Sequence, residues 1–135
     1  GTQRSLKFEQ FKASQAWWLD EYALFRALHA LHDELPWTSW PDPLANAEEK
    51  AVVEARRALY NEINYRSYLQ WLAADQWADA KRLSWPIRVY GDLPFMIAVD
   101  SPDVWARQRE FRFDATIGVP PAHATLRDAS ATASN

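Results

Sequence analysis

Asp92 is the residue whose type and setting most directly suggest chemistry. It follows the alternating, β-branched run Ile87-Arg88-Val89-Tyr90 and sits in a break, Gly91-Asp92-Leu93-Pro94. In barrels and open α/β sheets, acids at the carboxyl ends of strands line the active-site face. The plainer reading is a turn, since a Gly-Asp pair is a common turn signal. Asp100 and Asp103 offer a second pair of carboxylates. Retaining chemistry at a glycosidic bond needs two carboxyl groups about 5 Å apart, one as nucleophile and one as acid/base. Their setting, Asp100-Ser101-Pro102-Asp103, reads more simply as a helix start. Asp100 or Ser101 caps, Pro102 takes the first helical position and Asp103 complements the dipole.

His29 and His32 share a helix face at i, i+3, with Asp33 beside them. Two histidines can begin a metal site, but the third, His123, lies far along the chain. They are read as partly exposed helix residues, and no metal site is expected. The eight tryptophans admit two readings. Large aromatics commonly pack in cores, whereas their flat faces can also stack on sugar rings. The chain has no Cys, so it has no thiol nucleophile and no disulfide framework. Phosphate-loop, dinucleotide, Ser-hydrolase and zinc motifs are absent from the sequence.

These residues need elements to hold them. From Leu6 to Leu35 there is neither Gly nor Pro, and Phe8, Phe11, Trp18, Tyr22 and Phe25 recur at helical spacing beside a stripe of Leu24, Leu28, Leu31 and Leu35. One or two helices are expected, with Ser14 as a possible internal cap and Pro36 ending the pattern. Residues 37–45, rich in proline, are read as a loop. Asn46 with Glu49 three residues later suggests a capping box opening a helical stretch to Ser84, with a break near Asn61 to Asn64. Val52, Leu59 and Ile63 are expected to face the core, and Leu69, Leu72, Gln76 and Leu83 continue the period. Residues 87–90 predict a strand, Phe95 to Val99 a second short apolar run, and Ser101 onward a short helix through Trp105. A lone strand needs partners, so the chain is expected to associate with copies of itself or with more protein.

One domain suits 135 residues. A net charge of -3 argues against nucleic acid. No apolar run reaches the roughly 18 residues of a membrane span, and the N-terminal GTQRSLKFEQF has no hydrophobic signal region. A cytoplasmic setting is the expectation.

The motifs occur together in one known family. Residues 18–28, WLDEYALFRAL, resemble its W-L-x-D-Y-A-L-F-x-A-L helix. Trp37-Thr38-Ser39-Trp40-Pro41 resembles its W-x-x-W-P loop, and Tyr68-Leu69-Gln70-Trp71 with Gln76-Trp77 its F-L-Q-W…Q-W helix. The most specific stretch, residues 91–106, GDLPFMIAVDSPDVWA, looks like G-D-L-P-I-F-V-A-x-D-S-A-D-V-W-A, and Gly118-Val119-Pro120-Pro121 falls where the family has G-V-P-P-D. The chain thus resembles the glycoside hydrolase family 77 amylomaltases, 4-alpha-glucanotransferases related to the α-amylases.

The resemblance implies a helix-dominated α/β fold. It would be a partial (β/α)8-barrel segment with a helical subdomain and one or two short strands. Residues 1–114 would hold the helical subdomain, one barrel strand and the short helix, and residues 115–135 a loop and weakly ordered tail. The implied reaction is transfer of α-1,4-glucan segments between maltooligosaccharides through a covalent glycosyl-enzyme, with no metal or organic cofactor. Asp92 would stand on the active-site floor, with Pro94 shaping the same face and Trp105 a further substrate contact. The family's nucleophile motif, R-x-D-H, its acid/base Glu and its second Asp have no counterpart in these 135 residues. Ala122 also stands where the family has Asp. The expectation is therefore an internal piece of such an enzyme, with no catalytic residue of its own and inactive alone. The competing readings are a non-catalytic glucan-binding module and a self-associating helical domain.

Overall fold

The computed structural model describes residues 1–94 and 96–115. Five α-helices and two short 3-10 turns make up its regular structure: α1 (Gln3–Leu31), a turn at Trp37–Ser39, α2 (Asp42–Ala45), α3 (Glu49–Ala58), α4 (Tyr60–Leu83), α5 (Pro102–Ala106) and a turn at Gln108–Glu110.

The absence of Gly and Pro lets α1 run for 29 residues, roughly 44 Å at the usual rise. Thr2 caps it, its side chain accepting from Ser5 N–H. Ser14 is no internal cap; its hydroxyl donates back to the Phe11 carbonyl, which leaves the helix unbroken. The helix stops at Leu31, short of Pro36. Asp33 and Glu34 adopt positive φ of 54° and 58°, and Glu34 N–H closes onto the His29 carbonyl at 2.8 Å. This left-handed ending is usually built on glycine.

Residues 37–45 are not a plain loop. Pro43 lies in the first turn of the short α2, where its missing N–H costs nothing. The expected capping box does not form: Asn46 closes α2 instead, and α3 starts after Glu48 without a side-chain cap. The break expected near Asn61 falls at Leu59, between α3 and α4.

The core gathers Leu24, Phe25 and Leu28 of α1, Trp37 and Trp40 of the turn, Ala55 of α3, and Val104 and Trp105 of α5. Val52, Leu59 and Ile63 pack against it as expected. Leu24 and Leu28 are fully buried, each contributing about 1.5–3 kcal/mol by leaving water. Farther along, α4 crosses α1 through Phe8, whose ring meets Tyr68 and Trp71 at 5.5 and 5.6 Å. On α4 the buried residues are Ser67 and Trp71, whereas Leu69 and Leu83 are exposed.

The strand expected at residues 87–90 does not form, and among the described residues there is no strand at all. Ile87, Val89 and Tyr90 all face solvent, Tyr90 at 95% exposure. A β-branched run becomes a strand only when a neighbour takes its backbone groups, and among the described residues none pairs with it. Met96 to Val99 is likewise irregular and Phe95 lies outside the described residues. The expected tail at residues 115–135 and the Gly118 to Pro121 turn also lie outside them, except for Ala115. No helix among the described residues is long and apolar enough to cross a membrane.

Candidate functional site

The stretch between α4 and α5 carries two of the three sequence-derived site residues. Asp92 and Pro94 are exposed. Gly91 has nothing within 4 Å of where a Cβ would stand, so the bend is not packed against the helical body at this point. Trp105 is placed differently. It is 3% exposed, its indole Nε1 donates to the Leu44 carbonyl at 2.7 Å, and its ring meets Phe25 and Trp40 at 5.9 and 5.8 Å. A cavity of about 440 Å³ opens along its edge, lined also by Asn46, Ala47 and residues 106–110. Asp92 and Pro94 take no part in that lining, so the structure does not bring the three residues together.

What the structure does assemble is a polar anchor around Asp100, which the sequence reads, with Ser101, as a helix cap. Ser101 caps α5, accepting from Val104 N–H at 3.4 Å. That frees Asp100. Its Oδ1 accepts from Trp37 N–H at 3.2 Å and lies 3.1 Å from His29 Nε2. A carboxylate only accepts, so Nε2 carries the proton in this pair. Trp37 Nε1 donates to the Val99 carbonyl at 2.8 Å. These bonds tie the far end of the 84–99 stretch to the C-terminal end of α1.

His29 is therefore a buried core histidine, not a partly exposed one. Its ring packs at 4.8 Å against Phe25, tilted by 50°, and its Nδ1 lies 3.4 Å from Glu34 Oε2 without hydrogen-bond geometry. His32, half-buried, stacks at 5.6 Å on the same Trp40 ring that His29 meets edge-on at 5.5 Å. No cluster of three or more His, Cys, Asp or Glu suited to a metal occurs among the described residues.

The tryptophans divide. Trp37, Trp40, Trp71 and Trp105 are core, and Trp17, Trp77 and Trp85 are exposed. Three of the core indoles donate to backbone carbonyls, Trp40 to Leu35 at 3.0 Å alongside the two already described. Sequence spacing could not separate these roles: Trp17 and Trp18 are neighbours on one helix, yet Trp17 is exposed and Trp18 half-buried.

Beyond α5, Arg112 makes two bonds to the Asp114 carboxylate, at 3.1 and 2.8 Å. The guanidinium holds the Asp114 carboxyl below its ordinary range, and the pairing raises Arg112 in turn.

Comparison with known proteins extends over most of the chain. A family model described as 4-alpha-glucanotransferase matches residues 1–125. A 4-alpha-glucanotransferase of Thermus thermophilus is 44% identical over 124 residues, covering 84% of this chain and 24% of that protein. Those of Synechocystis sp. and Streptococcus pneumoniae are 35% and 32% identical over 114 and 123 residues, covering 83% and 84% of this chain and 23% and 24% of their own. The chain thus spans about a quarter of the length of the curated relatives it matches.

Proposed function

The chain belongs to the 4-alpha-glucanotransferase family, glycoside hydrolase family 77, and on that premise we propose that it forms a scaffold and one wall of the glucan site in an enzyme that moves α-1,4-glucan segments between maltooligosaccharides in a cytoplasmic setting. The observation that carries this reading is the family match over residues 1–125.

Three structural features support the proposal. Residues 87–90 have the composition of a barrel strand and stand with their side chains uncovered, as a strand awaiting neighbours would. Asp92 and Pro94 sit in the bend directly after it, the position from which barrel enzymes draw active-site residues. The Asp100 anchor holds the other end of the same stretch. Trp105 enters the proposal chiefly as the buried pin of α5, with only its edge on the adjoining cavity. In this reading the 135 residues alone supply neither the nucleophile nor the acid/base that a retaining transfer requires, and the chain by itself turns over nothing.

The test is incubation of the purified chain with maltotriose and measurement of released glucose. Release equal to a no-protein control is expected; release well above it overturns the inactive-alone reading. A parallel titration with maltoheptaose, followed by backbone amide NMR, is expected to shift Asp92. A spectrum unmoved around residue 92 at millimolar ligand removes the glucan-wall role.

A second reading, self-association, is favoured by the apolar side chains of Trp85, Ile87, Tyr90 and Leu93, all exposed. Light scattering that finds only monomer at high concentration removes it.

A further inference from the structure

We propose that the chain carries a separate binding pocket for a single neutral sugar ring, built where α1 meets α5, from residues that play no part in the Asp92 wall. It goes beyond the proposed function in naming a second site, although the glucan ligand used to probe it rests on that reading.

The pocket encloses about 140 Å³. Pockets for drug-sized ligands run to roughly 300–1,000 Å³, so this one suits a single ring. Its aromatic walls are Trp17, Trp18 and Tyr22. Trp17 is 78% exposed, an unusual cost for the largest apolar side chain on a helix that buries eight of its other residues. The Trp18 and Tyr22 rings stand 5.8 Å apart at 58°, so they splay instead of stacking on each other. A pyranose chair, whose axial C–H bonds make an apolar face, can lie against such a ring, as apolar contact plus attraction to the π-cloud.

Its polar side is Glu21, Asp103 and Arg107. Arg107 bridges the two acids, 2.8 Å from Glu21 Oε2 and 2.8 Å from Asp103 Oδ1. This fixes both carboxylates on one side of the cavity, each with lone pairs left to accept from hydroxyl groups. Two acids against one base leave the lining net negative, which disfavours phosphates and carboxylates. Hydroxyls spaced on a ring, with one apolar face, fit this combination of acceptors and aromatics. The helices that supply the two sides are locked together by the core contact of Phe25 with Trp105, so the geometry exists before any ligand arrives. Because the carboxylates are already paired and partly wet, affinity should be weak, with Kd in the millimolar range.

The experiment is a titration of the 135-residue chain with methyl α-glucoside and with maltose, read by tryptophan fluorescence and by saturation-transfer NMR, with inorganic phosphate as the charged control. Binding of both sugars and not of phosphate is expected. Trp17→Ala should weaken binding at least tenfold, and circular dichroism should confirm that this exposed substitution leaves the helices intact. Glu21→Gln should weaken it severalfold. Sugar binding that survives Trp17→Ala but falls with Asp92→Ala overturns the pocket while sustaining the Asp92 wall. Absence of any sugar binding to the wild-type chain overturns the pocket, and the maltoheptaose shift at Asp92 is then read separately. Phosphate binding as strong as sugar binding also overturns it.

Discussion

The meeting of α1 with α5 and the stretch of residues 84–99 are both apolar in sequence, yet they lie at opposite extremes of burial. Leu24, Phe25, Leu28, Val104 and Trp105 are nearly all removed from water. Ile87, Val89, Tyr90, Leu93 and Val99 remain more than half exposed. The difference is in how each region satisfies its backbone. Helices close their own hydrogen bonds and need neighbours only for their apolar faces. An extended run needs a neighbour for its backbone as well. The same hydrophobicity therefore builds a core in one region and leaves an open surface in the other, and the two are joined through Asp100.

The largest expected effect breaks or keeps this contrast directly. Trp105→Ala removes a buried indole and its bond to the Leu44 carbonyl, and should cost about 3–5 kcal/mol. Tyr90→Ala removes a comparably large aromatic that is 95% exposed and should change stability by less than about 0.5 kcal/mol. Urea denaturation followed by circular dichroism measures both. Equal losses would mean that Tyr90 is packed in solution and that the contrast is false.

How much of this could be read from the sequence follows the same division. The long helices were legible because their signals are local: no Gly or Pro between Leu6 and Leu35, and a cap, proline and acid in a row at Ser101, Pro102 and Asp103. The end of α1 was not, because Asp33 and Glu34 take left-handed backbone without a glycine to announce it. The strand at 87–90 was misjudged because composition reports an appetite for pairing and cannot report whether a partner exists. Asp92 was singled out by position, while Asp100 was assigned to capping and its true partners, His29 and Trp37, lie more than sixty residues away. Local capping rules could not disclose a contact of that range.

Asp100 sharpens the comparison at the seam. Asp100→Ala leaves the Trp37 N–H and the His29 imidazole without their acceptor, and an orphaned buried donor costs about 1–3 kcal/mol. Asp92→Ala, eight places earlier in the chain, touches no packed neighbour and should cost less than about 0.5 kcal/mol. Amide exchange should separate them further: Trp37 N–H should exchange markedly faster in Asp100→Ala and unchanged in Asp92→Ala. If both variants leave the Trp37 amide protected, the anchor is not Asp100.

The smallest effect concerns a charge pair that is fully in solvent. Arg112 draws the Asp114 carboxyl below its ordinary range, which means that the folded chain holds this proton less tightly than the unfolded chain. Any stability from the pair is therefore present above the ordinary carboxylate pKa and is lost as pH falls through the depressed folded value. Both side chains lie in water, where screening and side-chain entropy absorb most of such an interaction, so the midpoint of unfolding should be indistinguishable between wild type and Arg112→Gln at neutral pH. The titration itself should still register the pair: the Asp114 carboxyl, followed by carbon-detected NMR, should move up toward the ordinary range in Arg112→Gln. A shift in titration without a shift in stability would place this pair with the open surface of residues 84–99. A clear loss of stability in Arg112→Gln would place it with the core instead, and would extend the packed region past α5.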